Sequence, residues 1–317
     1  MTALKRIDMR WIDKRYNSLN SMLQEQFGEK TYKLTLSGGM TCPNRDGTLD
    51  TRGCIFCGVG GSGEFAAEKS LSITAQIEQQ KAILQQKRPV TKFIAYFQAY
   101  TNTYGELSHL RDIFTEAIAH PDIVALSIGT RPDCLGEDVI ILLSEINHQK
   151  PVWVELGLQT IHPRTANYIR RGYELPCFES ALATLRRVNI DVIVHIILGL
   201  PGETFTDMLA TIDYLNKLDI QGIKLQLLHV LKGTDLATDY ANGAFDVLAK
   251  AEYLDLLITC LERLAPDIVV HRVTGDGPSD LLIAPTWSSA KRTVLNELHH
   301  QMRKRDAWQG KSYHKEI

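Results

Sequence analysis

Residues 192–218 read VIVHIILGLPGETFTDMLATIDYLNKL, and this stretch holds the repeating unit of the fold. Val192–Gly199 is apolar on both faces of an extended chain, as a strand covered on both sides must be. Leu200–Thr204 supplies the Gly and Pro of a tight connection. Phe205–Leu218 then changes to the 3.6-residue spacing of an amphipathic helix. The alternation continues outward in both directions. Tyr32–Ser37, Lys92–Gln98, Ile123–Thr130, Val152–Gln159 and Ile223–Val230 are predicted strands. Ile73–Gln86, Leu107–Ala119, Asp138–Asn147 and Phe178–Val188 are predicted helices. Strands alternating with helices of this length form βαβ units around a parallel sheet. Six units predict an α/β fold, a partial (β/α)6 TIM-like barrel. Residues 1–30 are expected to be an N-terminal helical segment and 31–236 the barrel. Residues 237–317 read as an α-rich C-terminal extension. It carries a helix from Phe245 to Leu264, a short apolar run Ile268–Val273, the loop GDGPSD, and a last helix from Ser288 to Arg305 with Ser288 as its N-cap.

With 44% hydrophobic and 23% charged residues over 317 positions, the composition excludes a largely disordered or collagen-like chain. No window approaches the roughly 18 consecutive apolar residues of a membrane span. The charged N-terminus lacks a signal-peptide apolar region, so the expected compartment is the cytoplasm, with no membrane partner. The net charge of −2 conceals an asymmetry. Residues 1–33 hold 7 Lys and Arg against 4 Asp and Glu, and residues 288–317 hold 7 against 3, so both ends are basic on an acidic body. Such ends can meet a polyanion such as RNA, or can simply be solvated helices.

In parallel α/β folds the chemistry sits at the C-terminal ends of the strands. The loop after the first predicted strand carries Cys42, Cys54 and Cys57 in the spacing C-x11-C-x2-C, among many glycines. A tight cysteine group in a reducing compartment reads as metal binding or redox chemistry. No fourth Cys follows in the loop, and the next His is His109. A closed zinc site wants four ligands, whereas a cubane iron–sulfur cluster held by three cysteines keeps one iron open. Iron–sulfur is the preferred reading; zinc and a CxxC redox pair stay open. At the other strand ends, Glu155 and Gln159 share one strand face. His195 interrupts an apolar run and is either a core histidine or a ligand contact. Arg131 and Asp133 either brace each other or bind substrate. His229 is expected to be structural, and Cys134 and Cys177 to be buried small hydrophobes, with a chemical role for Cys134 left open. GLPGE matches neither a Walker nor a Rossmann fingerprint, so nucleotide hydrolysis is not expected.

The cysteine triad, with Phe56 just before its third member, resembles the radical S-adenosylmethionine (SAM) superfamily. The segments CPNRDG, GCIFC, YFQAYTNTYG, TRPDC, ELGLQT and HIILGLPGET resemble the bacterial YhcC/YtqA family, in the branch that includes the radical domain of the Elongator catalytic subunit. The long first spacing departs from the commonest superfamily motif and is similar to that branch. The resemblance implies that Cys42, Cys54 and Cys57 ligate a [4Fe-4S] cluster and that S-adenosyl-L-methionine chelates the open iron. Gln98, Tyr100, Thr101 and Asn102 occupy the place of the family's Gly-Gly-Glu element, which contacts the SAM amino group; that triplet is absent here. Gln159 stands where a polar residue holds the ribose, with Glu155 on the same face. Arg171 and His195 match positions that contact the SAM carboxylate and ribose in the coproporphyrinogen oxidase branch. Gly199, Leu200 and Pro201 would lie near the adenine. The resemblance further implies a low-potential electron donor of flavodoxin or ferredoxin type. The expected function is reductive SAM cleavage to a 5′-deoxyadenosyl radical, with tRNA or RNA modification as the leading purpose. A small molecule or peptide substrate, and a non-catalytic iron–sulfur or zinc RNA-binding module, are the alternatives.

Overall fold

A computed structural model describes residues 11, 14–58, 60–61, 70–87, 89–275 and 277–314. The first ten residues of the expected N-terminal segment lie outside the described residues, as do Gly63 of the cysteine loop and Asp276 of GDGPSD. The strands are β1 (Tyr32–Leu36), β2 (Phe93–Phe97), β3 (Ile123–Thr130), β4 (Val152–Gln159), β5 (Asp191–Leu198), β6 (Gly222–Leu227), β7 (Val230–Leu231), β8 (Val269–Arg272) and β9 (Leu282–Ala284). The helices are α1 (Leu19–Phe27), α2 (Ile73–Gln85), α3 (Leu107–Ala119), α4 (Glu137–Asn147), α5 (Pro163–Tyr168), α6 (Leu175–Arg187), α7 (Phe205–Leu215), α8 (Asp235–Ala241), α9 (Lys250–Arg263) and α10 (Lys291–Lys304). Seven strands form one parallel sheet in the order β1-β2-β3-β4-β5-β6-β8, curled into a half-barrel. The expected α/β partial barrel is what forms, with one strand more than six.

The strand alternation sorts the residues into two faces. Ala95, Phe97, Leu126, Ile128, Val154, Leu156, Val194, Ile196, Ile223 and Leu225 face outward and join the main apolar core under the helices, with Ile77 and Phe114. The residues between them, Tyr96, Ser127, Glu155, His195 and Lys224, face the concave interior, where they bond to one another. The mouth at the strand starts is plugged. Leu23 of α1 packs with Ile94, Ala125, Trp153 and Ile193, and Leu19, Met22 and Phe27 back it up. Helix α1 is punctuated locally: the Ser18 hydroxyl accepts from the Ser21 amide, and Gly28 ends the helix at φ 77°.

Three details differ from the sequence reading. The run Ile268–Val273 is not an appendage: its β8 core pairs in parallel with β6 and completes the barrel sheet, so the C-terminal region is part of the barrel wall. Its first residues also take Asn17 on their free edge, through Val270 N–H to Asn17 O at 2.7 Å. Helix α9 starts at Lys250 rather than Phe245, because Phe245 packs against Tyr240 instead. Helix α10 starts at Lys291; Ser288 is no N-cap but part of a 3-10 turn, its hydroxyl donating to Pro285 O at 2.8 Å. Among the described residues no helix is long and apolar enough to cross a membrane.

The sheet–helix contact has an aromatic anchor: Phe97 and Phe114 meet edge-to-face at 5.1 Å, both fully buried. Phe114→Ala is expected to lower stability by about 3–5 kcal/mol through the cavity it leaves. A urea unfolding midpoint measures this, and a destabilisation below about 1 kcal/mol would refute that packing role.

Candidate active site

A cavity of about 650 Å³ opens at the C-terminal ends of the strands and extends down to the charged interior layer. That volume suits a small ligand together with part of a second one. Cys42, Cys54 and Cys57 all line it, and all three are free thiols. Their loop is folded by its own backbone: Arg45 and Asp46 donate to Cys42 O, Gly53 to Asn44 O at 2.7 Å, and Cys57 to Cys54 O at 3.0 Å. The buried Asn44 amide nails the loop to the turn after α5, donating to Arg170 O at 2.8 Å and Arg171 O at 3.3 Å, and it lies 3.5 Å from Cys54 Sγ. Arg45 donates to Cys57 O and Gly58 O, both at 2.7 Å. Burial, reinforced by the Cys57 thiol, pushes the Cys54 thiol up to about 11, while the Arg131 guanidinium and Asn44 amide oppose the shift.

Facing the cysteines is the segment after β2. It is stitched to the cysteine loop by Tyr100 N–H to Gly61 O at 3.0 Å and Thr101 N–H to Thr41 O at 3.1 Å, and to β3 by Asn102 N–H to Gly129 O at 3.1 Å. Ala99 and Tyr100 hold φ of 91° and 58°, and Gln159, also on the wall, holds 61°. Such conformations persist in non-glycine residues only where surroundings impose them, and they gather at functional sites. Thr101 Oγ1 and Asn102 Oδ1 are buried, belong to residues on this cavity's wall, and have no hydrogen-bond partner among the described residues. A buried acceptor without a donor is costly unless a ligand completes it. At Gly129 a Cβ would stand in ordinary contact with Phe97 O at 3.4 Å and the Tyr96 hydroxyl at 3.9 Å, whereas at Gly157 it would meet the Gln159 amide at 2.7 Å, so the Gln159 side chain packs directly against Gly157.

Below this shelf lies the charged layer. The Glu155 carboxylate is fully buried. Lys33 and Lys224 each pair with it, the Ser127 hydroxyl donates to it at 2.8 Å, and the His195 ring bonds it at 2.7 Å. Lys224 also donates to the Tyr96 hydroxyl at 3.1 Å, and the Lys33 and Lys224 ammonium groups lie 4.5 and 4.7 Å from the centre of the Tyr96 ring. Burial alone would raise the Glu155 carboxyl, but the charges of Lys224 and Lys33 outweigh it and hold it well below the usual range. Burial lowers Lys224 to about 7, with Lys33 and Arg272 repelling its charge and Glu155 opposing.

The cavity brings together Gln98, Tyr100, Thr101, Asn102, Glu155, Gln159, Arg171 and His195 with the three cysteines. Their local roles separate them. Arg171 spends Nη1 on Leu158 O and Thr160 O and Nε on Tyr173 O, so it clamps the rim backbone. Arg131 grips Asp133 with two bonds of 2.9 and 2.7 Å and reaches Arg171 O, which makes it a brace. His195 binds Glu155 rather than standing alone. Gly199, Leu200 and Pro201 do not line the cavity; Leu200 packs into a second apolar cluster with Ile55, and Gly199 faces Leu248. Burial beside Asp133 pushes the Cys134 thiol up to about 12, so it stays a neutral thiol. Sequence reasoning missed Lys33, Tyr96, Lys224, Asn44 and Tyr173. A lone lysine at an inward position of KLTL or IKLQL was the available signal for the two lysines; nothing local pointed to Asn44 or Tyr173.

The donor set can be tested against an iron–sulfur cluster and SAM. Among the described residues no three Cys, His, Asp or Glu side chains gather around a single ion position. Three free thiols of one loop line the cavity, the number that leaves one iron of a cube open. The orphaned acceptors at Thr101 and Asn102 on the cavity wall suit a ligand carrying an ammonium group. The residues fit the pair of cofactors.

The family model described as the radical SAM superfamily matches residues 51–215, and the radical SAM C-terminal domain matches residues 220–304. The first match takes in Cys54 and Cys57 and begins after Cys42. The uncharacterized protein YtqA of Bacillus subtilis is 44% identical over 301 residues, 95% of this chain and 94% of that protein. YhcC of Escherichia coli is 35% identical over 90% of this chain and 92% of its own. A tRNA uridine(34) acetyltransferase of Methanocaldococcus jannaschii is 25% identical over 55% of this chain and 32% of that enzyme. The structure of Methanocaldococcus infernus Elp3 superposes with a TM-score of 0.65 at 16% identity; it covers 88% of this chain, which spans 64% of it, and the likeness is one of fold.

His195 supplies a pH test of the charged layer. Burial first, and the Lys224 charge second, lower it from its ordinary 6.5 to about 4. The unfolded chain therefore binds the proton first, and stability falls as pH drops from 6.5 toward 4. Urea unfolding at pH 7.5 and 5 should show His195→Asn losing about 2 kcal/mol less than the wild type over that interval. Parallel losses in the two proteins would contradict the assignment.

Proposed function

The chain belongs to the radical SAM superfamily, whose members use a [4Fe-4S] cluster and S-adenosylmethionine, and on that premise we propose that it cleaves SAM reductively and uses the 5′-deoxyadenosyl radical to modify RNA, a tRNA base being the substrate class. One observation carries the reading. A single cavity holds the three cysteines, the two orphaned acceptors and a polar interior sealed at its base.

Cys42, Cys54 and Cys57 would hold the cluster, with Asn44 fixing their loop and Arg131 placing a positive charge beside Cys42 and Cys54. Three thiolates leave one corner for SAM. When bound, the cluster supplies the electron that breaks a carbon–sulfur bond of the sulfonium. Thr101 Oγ1 and Asn102 Oδ1 would accept from the SAM amino group, and Gln159 would meet the ribose. Among the described residues α1 packs across the strand-start mouth and shields the interior from water on that side, and a radical requires such exclusion. A flavodoxin- or ferredoxin-type protein is the proposed reductant.

RNA is favoured by charge and by kinship. Arg15 and Asn17 pack against Asp306 and Gln309 at 2.8 Å each, so the segments at 15–17 and 306–309 lie side by side. Helix α10 runs from Lys291, on the cavity wall, to exposed Arg303 and Lys304. Its 14 residues span about 21 Å, several nucleotides of strand. The tRNA acetyltransferase relative points the same way, although the shared region is a third of that enzyme and carries no argument for acetyl transfer.

Anaerobically reconstituted protein is expected to hold about four irons and four sulfides and to form 5′-deoxyadenosine from SAM with dithionite. Cys42→Ala, Cys54→Ala and Cys57→Ala should each abolish both; one zinc per chain would sink the reading. Replacing Arg303, Lys304 and Arg305 together with Ala should weaken tRNA binding and reduce its log–log salt slope by roughly one for each phosphate no longer neutralised. An unchanged slope would place the RNA elsewhere or exclude it.

A further inference from the structure

We propose that Lys224, backed by Lys33, seats an oxyanion of the substrate, a carboxylate or a phosphate, at the floor of the cavity. The inference rests on the radical SAM reading and extends it to the chemistry of the substrate.

Charge is the first reason. Two ammonium groups share the single Glu155 carboxylate. The Arg272 guanidinium adds to the same field, since it repels the charge of both lysines. Among the described residues lining the cavity, Glu155 is the sole carboxylate. Three more cavity-lining cations are committed elsewhere: Arg131 to Asp133, and Arg171 and Arg45 to backbone carbonyls. Lys224 has three donors; Glu155 and the Tyr96 hydroxyl take two, and among the described residues the third has no acceptor. A surplus buried positive charge is stabilised most by a hydrogen-bonded anion.

The geometry admits such a group from one side only. Beneath the layer the interior is closed by Leu23 and Trp153, with the His271 ring set edge-on against Trp153. Above it the cavity wall carries Gly129, where a Cβ would stand 3.9 Å from the Tyr96 hydroxyl that Lys224 contacts, so the layer meets the cavity on that side. An anion at Lys224 would therefore lie below the shelf of Thr101 and Asn102, in the same cavity as the cysteines. The substrate's own negative charge would fix it beneath the place where the radical forms, so that position and not affinity alone selects the hydrogen removed.

The test is calorimetric titration of reconstituted, SAM-loaded protein with sodium acetate and, separately, sodium phosphate, against sodium chloride of equal ionic strength. At least one oxyanion is expected to bind, and the stronger of the two identifies the group as carboxylate or phosphate. Lys224→Met should weaken that binding about tenfold or more, as removal of one charge-assisted hydrogen bond does, and Lys224→Arg should restore most of it. If Lys224→Met does not load its cluster, Glu155→Gln combined with Lys224→Met, which removes the buried pair together, replaces it. Binding equal in wild type and variant overturns the proposal. So does binding seen without SAM and abolished by it, which would give the site to the SAM carboxylate. Wild-type 5′-deoxyadenosine formation is measured alongside: its presence without oxyanion binding defeats this inference alone, and its absence defeats the functional reading on which it rests.

Discussion

The Glu155 carboxylate has no water to retreat to, and the interior of the barrel is organised around that fact. A buried carboxylate survives only if donors and cations surround it. Here they come from five strands: Lys33 of β1, Ser127 of β3, His195 of β5, Lys224 of β6, and Tyr96 of β2 through Lys224. Removing the Glu155 carboxylate would strand both lysines, at a typical cost of about 3–5 kcal/mol. The layer thus ties the curl of the sheet to its chemistry, because these strands must converge for the carboxylate to be satisfied.

Above and below that layer the same strands do different work. Near their starts they offer Ile94, Ala125, Trp153 and Ile193 to the α1 plug. Near their ends they offer Gln98, Gly129, Gly157 and Gln159 to the cavity. A dry base, a charged middle and an open, partly glycine-lined top follow from one strand period read at three heights. The strained residues at the top cluster where the loops meet: Ala99 and Tyr100 keep positive φ because Gly61, Thr41 and Gly129 fix the neighbouring backbone, and Gln159 holds the same conformation across the cavity.

The alternation of βα units and the cysteine loop were legible because both are written locally. Helix α3 forms over the very residues its spacing predicts, and the triad of cysteines falls after β1 as read. His195 was legible as a break in an apolar run and Arg171 only through the family resemblance, but their partners were not. Glu155 lies 40 positions from His195, and Leu158 O lies 13 positions from the Arg171 guanidinium that it accepts from.

The sequence by itself determined the parallel α/β architecture, the functional rim and the three thiols, since strand period, helix period and cysteine spacing are properties of neighbours along the chain. Only the tertiary structure decided that β8 belongs to the barrel, that Lys33 and Lys224 meet over one carboxylate, and that Thr101 and Asn102 keep unanswered acceptors. Those outcomes depend on which distant strands become neighbours when the sheet curls, and the energy of a buried charge is set by what surrounds it in space rather than by what precedes it in the chain.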